Sequence, residues 1–283
     1  MDFKKEQVKE QENLTNLTND NYFAPEHKKK YMSTTTFKDF LECEVMGLAR
    51  ANGEFQKSSN ALLFGGYIDA YFSNELADFT AKHPEMFTKQ GTLKADFQSC
   101  DEVIKAIENA ENEEGEKIML KYLDGEKQVV MTGVIAGVPW KIKIDAYHPH
   151  KAIVDQKVMK DLQPVWVSKN GMNVKVDFVE AYRYDIQGAS YQEIVRQVTG
   201  DKLPFILAVT TKEECPDNLL LKIDNEYLGM ALQEIEVKAP RYWDILQGRV
   251  EPKGCGHCPA CRKKKKITGV MSYKQLFKER EEM

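Results

Sequence analysis

No apolar run in this chain approaches the roughly 18 residues that a membrane-spanning helix requires, so no membrane span is expected. Internal repeats are absent, and so are Gly/Ser linkers, which argues against a repeat array or a string of tethered modules. The opening MDFKKEQVKEQEN is too charged for a secretory leader. With no mark of export, a cytosolic protein is expected, and the six cysteines read as metal ligands or free thiols rather than disulfides. A strong charge of either sign is also missing, and a net charge of −4 neither demands nor forbids nucleic acid. What is present is the composition of a soluble globular protein, 42% hydrophobic and 30% charged, in 283 residues that can bury a substantial core.

Charge is nevertheless uneven. Residues 101–116 are strongly acidic, whereas Lys28–Lys30 and Arg262–Lys266 are basic blocks. A basic patch on an acidic protein can engage phosphates with salt-sensitive affinity, or simply be a solvated surface.

Residues 1–32 are polar without an apolar period and predict a loosely held arm; 33–283 form the domain. Ser33–Thr36 offers N-cap hydroxyls ahead of a helix carrying Phe37, Leu41, Val45 and Leu48 on one stripe. Further helices are predicted over 58–76 and 95–114. After Lys127 the texture turns β-branched: QVVMTGVIAG, VPWKIKIDAYH and KAIVDQKV predict a three-stranded antiparallel meander. A long helix over 176–200, strands at 203–212 and 219–224, and a helical region over 225–249 complete the order. This is an α/β chain, with a central mixed sheet covered by helices.

The meander carries the chemistry. Asp145 stands in KIKIDAYHP, and Asp155 and Lys157 stand in AIVDQKVMK, two residues apart and so on one strand face. A bend at His148–Pro149–His150 brings Asp145 beside Asp155. Two carboxylates and an ammonium in one small volume suit a hard divalent cation, with the lysine orienting water or stabilising developing charge. The plainer alternative is a cross-strand salt bridge. Charged residues flanked by Ile142, Ile144, Ile153 and Val154 need a stronger reason than that.

A second feature is C-x₂-C-x₂-C at Cys255, Cys258 and Cys261, three thiols where a closed tetrahedral site takes four. Cys215, which reads as a loop thiol, and His257, crowded within the hook, are alternative fourth ligands, whereas Cys100 sits on the apolar face of the acidic helix, where core packing explains it.

Asp145 followed by Ile153–Val154–Asp155–Gln156–Lys157 resembles the signature of the PD-(D/E)xK nucleases, with Asp155 where Glu is commoner. Gln187 and Tyr191 in QGASY resemble the Q-x-x-x-Y motif of their RecB-like branch. Apart from the resemblance, they are a hydrogen-bonding helix face. The chain is most similar to the phage and prophage RecE-like, or exodeoxyribonuclease VIII-like, members.

That resemblance implies a restriction-endonuclease-like core and a metal-dependent exonuclease that acts on linear DNA for recombination. Mg²⁺ or Mn²⁺ would bind Asp145 and Asp155, Lys157 would position the water, and Gln187 and Tyr191 would contact the metal–phosphate region or the strand. The family's upstream helix usually supplies a histidine; GGYIDAYF has Asp69 there, with His83 as a competitor. Relatives with a split cysteine cluster imply Cys43 as the fourth ligand beside Cys255, Cys258 and Cys261. The bound group would be [4Fe–4S] or Zn²⁺. Implied partners are DNA, a phage single-strand annealing protein and further copies of the chain. Two rivals remain open: a nuclease fold that has lost catalysis and binds DNA, and a zinc-stabilised adaptor.

Overall fold

The computed structural model describes residues 17–169, 172–267, 269–270 and 272–274. The β-branched runs form the expected meander: β1 (Glu126–Ile135), β2 (Val138–His148) and β3 (Ala152–Met159), each antiparallel to the next. Ala136 and Gly137 turn β1 into β2 with both φ angles positive, +50° and +75°, the geometry a two-residue hairpin needs. After β3 comes a small hairpin, β4 (Val165–Lys169) and β5 (Met172–Val176), in its own two-stranded sheet. Nothing in the apolar pattern predicts it, because Trp166 and Met172 point to solvent and the pair is held mainly by its own ladder. β6 (Phe205–Thr211) lies parallel to β3 and β7 (Asn218–Ile223) antiparallel to β6, so the main sheet runs β1-β2-β3-β6-β7. This is the expected α/β arrangement.

The described helices are α1 (His27–Lys30), α2 (Thr34–Glu42), α3 (Glu44–Ala51), α4 (Asn60–Phe72), α5 (Leu76–Lys82), α6 (Cys100–Asn109), α7 (Ile118–Leu123), α8 (Phe178–Ala181), α9 (Tyr184–Thr199), α10 (Asn225–Leu246) and α11 (Pro259–Lys264). The Ser33 hydroxyl caps α2 by accepting from Thr36 N, as the Ser/Thr cluster predicts. Two expected helices are each divided. Cys43 is extended (φ −172°, ψ 128°) and separates α2 from α3. The helix expected over 176–200 instead begins at α8, breaks at left-handed Arg183 (φ +53°) and resumes as α9, ending at Gly200.

Parallel pairing of β3 and β6 requires a crossover, and α9 provides it. Gly188 permits the close packing of this helix, since a Cβ there would lie 2.6 Å from the Phe205 ring and 2.7 Å from Leu228. Two cores flank the sheet. The larger gathers Phe37, Trp140, Ile142, Ile144, Ile186, Ile194, Phe205 and Ile235; the other gathers Phe64, Ile68, Val103, Ile107, Ala146 and Val154.

The sheet forks. β2 and β3 pair only at Ala146–Val154, Tyr147–Ile153 and His148–Ala152, although both strands run on. The N-terminal half of β2 is thereby stripped of β3, and its polar backbone needs other partners. Residues 17–32 supply several of them. Met32 N donates to Pro139 O at 2.8 Å, Lys141 N donates to Met32 O at 2.9 Å, and the Tyr22 hydroxyl reaches Lys141 O at 3.3 Å. This part of the expected loose arm therefore packs on the sheet, with Tyr22, Tyr31 and Met32 buried. Its contacts come from isolated side chains and backbone rather than a repeating stripe, so no period announces them. Residues 1–16 lie outside the described residues.

Candidate active site at the fork between two strands

Asp145 and Asp155 face each other where the β2–β3 ladder stops. The Asp145 carboxylate accepts the backbone N–H of Gln156 at 2.9 Å, replacing the strand carbonyl that the fork removed. Asp155 is 1% exposed. Its Oδ1 accepts from Gln187 Nε2 at 2.6 Å, and its Oδ2 is paired with the Lys157 ammonium. The crossover helix α9 thus delivers Gln187 to the Asp155 carboxylate. Tyr191, one turn on, donates its hydroxyl to Lys143 O at 2.9 Å, another β2 carbonyl that the fork leaves bare, and lies near enough to Asp155 and Asp145 to feel their charge. That bond supports the edge of the site.

Asp69 arrives on α4 from the side of the second core. Gln128 Nε2, on β1, donates to Asp69 Oδ1 at 3.1 Å and to Ser73 Oγ at 2.9 Å. The competing His83 is not brought to this site; it follows α5, packs at a tilt against the Phe79 ring and bonds Glu85 Oε1 at 3.0 Å.

Electrostatics tie the group together. Burial pushes the Asp145 carboxyl well above the usual carboxylate range, and the charges of Asp155 and Asp69 push it further. Burial also raises Asp69, opposed by the ammonium groups of Lys143 and Lys157. For Lys157, burial alone would lower the pKa, but Asp155 and Asp145 outweigh it and hold the ammonium charged. Asp155 and Asp69 both add like charge at Asp145, a repulsion that a divalent cation among their oxygens would relieve. Their donor chemistry fits Mg²⁺ or Mn²⁺.

Two further residues stand here without any sequence signal. Lys38 of α2 donates to Tyr182 O at 2.9 Å and lies 5.2 Å from the Tyr184 ring centroid, across from Lys157 at 5.4 Å. Burial, aided by the charge of Lys157, pushes its ammonium down to about 7. Gln128 is the other, and its backbone sits in the left-handed region (φ +52°). A side-chain-bearing strand residue held there costs on the order of 1–3 kcal/mol.

The cysteine group is separate from the fork. The Sγ atoms of Cys43, Cys255, Cys258 and Cys261 all lie within 4.8 Å of one another. Cys43 lies 3.6 Å from Cys261 and 3.8 Å from Cys258, and Cys255 lies 3.9 Å from Cys261. A tetrahedral ion with metal–sulfur bonds of about 2.3 Å sets its sulfurs about 3.8 Å apart. The set therefore fits one Zn²⁺-sized ion. A [4Fe–4S] cluster interposes iron and sulfide between its thiolates and needs them wider apart. Backbone N–H groups of Cys255, Cys258 and Cys261 point at the sulfurs of Cys43, Cys255 and Cys258. Burial raises the Cys255 thiol, but N–H donors from Cys258 and His257 outweigh it and bring it down to about 6. Gly254 lets the chain approach, since a Cβ there would lie 2.9 Å from Cys261 Sγ. His257 turns away to Cys255 O, Cys215 is exposed elsewhere, and Cys100 is buried in the second core.

A domain family described as a PDDEXK-like domain of unknown function (DUF3799) matches residues 33–264. The chain belongs to this PDDEXK-like family. Its restriction-endonuclease-like fold is the one the forked sheet displays. Among solved structures, the crystal structure of a "putative exonuclease" from Eubacterium rectale is similar at 41% identity, with a TM-score of 0.83, over 93% of this chain and 98% of that one. No curated protein matches. Among the described residues of this PDDEXK-like chain, no helix is long and apolar enough to cross a membrane.

Proposed function

We propose that the chain is a divalent-cation-dependent deoxyribonuclease that hydrolyses phosphodiester bonds from the ends of linear DNA. The observation that carries this reading is the meeting of Asp145, Asp155 and Lys157 at the fork. Family membership and the relative described as an exonuclease support it.

In this reading Asp145 and Asp155, with Asp69, hold Mg²⁺ or Mn²⁺, which when bound polarises the phosphate and acidifies water. Lys157 keeps its charge beside Asp155 and orients the attacking water or stabilises charge on the phosphate. Gln187 fixes the Asp155 carboxylate by one oxygen and leaves Lys157 the other. Lys38 adds a second amine beside Tyr184. The cysteine site joins Cys43 to the C-terminal hook, and its Sγ spacing supports Zn²⁺ over the [4Fe–4S] cluster that the resemblance implies. The same resemblance extends the reading to recombination in the cytosol of a phage-infected bacterium, with a single-strand annealing protein as partner and a homo-oligomer as the assembly.

End-labelled linear duplex incubated with Mg²⁺ or Mn²⁺ tests the activity. Wild type should release nucleotides or short oligonucleotides, and Lys157→Ala should be at least a hundredfold slower, the scale of losing one charge-stabilising group. A wild type inert with both metals would refute the reading.

A further inference from the structure

Gln128 carries two costs that its surroundings in the protein do not explain. Its backbone is left-handed inside a strand. Its side chain is 95% buried, yet Oε1 has no hydrogen-bond partner. A buried amide oxygen is seldom left unpaired without a functional reason.

The position of Gln128 suggests that reason. The pairs Lys127–Ala146 and Val129–Ile144 bracket it, so it stands opposite Asp145. Side-chain alternation reverses at this point: Ile142 and Ile144 belong to the larger core, whereas Ala146, two residues on, belongs to the second. The left-handed residue is thus where β1 and β2 change faces, next to the carboxylate that must meet Asp155. Orientation of the amide follows from its partners. A carboxylate only accepts, so the NH₂ end faces Asp69 and the oxygen is the end left over.

We propose that Gln128 belongs to the divalent-cation site, holding Asp69 through Nε2 and offering Oε1 as a further oxygen donor to the hydrated cation. This rests on the nuclease reading of the fork. Amide oxygens are ordinary ligands of hard cations, and such an oxygen adds a donor without adding to the crowding of negative charge. It also gives the kinked strand a function, since a regular β1 would leave the amide out of register with Asp69.

The test is Mn²⁺ binding by the full-length protein at neutral pH, read as loss of the free-ion electron paramagnetic resonance signal. It is paired with thermal melting of each metal-free variant. Gln128→Gly keeps the backbone conformation and deletes the side chain; Gln128→Met keeps bulk and deletes the oxygen; Gln128→Glu keeps an oxygen. Asp155→Asn reports on the site as a whole. Gly and Met variants are expected to bind Mn²⁺ about tenfold to a hundredfold more weakly, the usual scale for groups supporting a metal site, with Glu restoring most of the loss. Should Gln128→Met fail to fold, the glycine variant alone decides. Wild-type affinity in Gln128→Gly, with Mn²⁺ lost in Asp155→Asn, overturns the role of Gln128 and leaves the nuclease reading standing. No binding by wild type, or unaltered binding in Asp155→Asn, overturns both.

Discussion

The Tyr191 hydroxyl donates to the Lys143 carbonyl at 2.9 Å, and this bond lets β2 stand apart from β3 where the carboxylates meet. Tyr191→Phe leaves a carbonyl without its donor inside the protein, a loss of about 1–2 kcal/mol in urea unfolding. DNA hydrolysis should fall less than for Lys157→Ala, because Gln187 still holds Asp155. A raised KM with unchanged stability would instead mean that Tyr191 touches the strand.

Asp145 gives the metal-free protein a characteristic pH dependence. Its pKa in the fold is raised by burial, then by Asp155 and Asp69. The stability it contributes is therefore present below the ordinary carboxylate range and lost as pH rises through the raised value. Melting temperature in chelator should fall over that window for wild type. Asp145→Asn should flatten the profile and melt higher than wild type at neutral pH. Added Mn²⁺ should stabilise wild type there and leave the variant unmoved. Parallel profiles for the two proteins would contradict this.

Lys38 predicts the opposite slope. Its pKa falls from the ordinary 10.5 to about 7 through burial and the neighbouring Lys157. The folded state disfavours the ammonium, so the penalty is complete below about pH 7 and fades as pH rises towards 10.5. Lys38→Met should therefore raise the melting temperature most in mildly acidic buffer and hardly at all near pH 10.5. Hydrolysis should slow if Lys38 faces the scissile phosphate, which single-turnover kinetics on the variant will read.

The cysteine site closes a loop of 212 residues between Cys43 and Cys255. A cross-link over that span contributes on the order of 5 kcal/mol in the chain-entropy picture. Cys43→Ser, or removal of the ion by a chelator, should lower the free energy of unfolding by that scale. Metal analysis should find one zinc per chain in a colourless protein. Brown, iron-containing protein would restore the iron–sulfur alternative.

The parts of the site that were legible in the sequence are those written in short strand or helix patterns. Asp155 and Lys157 share a strand face because side chains alternate, and Asp145 stands one turn upstream in the same meander. The β4–β5 hairpin escaped because its apolar side chains are exposed, so no buried face marks it. Gln128, Lys38 and the Tyr191–Lys143 bond escaped for a different reason. Each depends on which segments meet after folding, and Lys38 lies 119 positions before the lysine it approaches.

Local pattern was therefore enough to specify the meander, the crossover helix, the paired aspartates and the cysteine hook. These rest on periodicities and spacings of a few residues. Only the assembled chain opens the fork, turns the face of β1 at Gln128, and ties Tyr191 to the Lys143 carbonyl. Those outcomes follow from the need to find a partner for every polar group that a diverging strand leaves bare. That need appears only when distant segments share one volume.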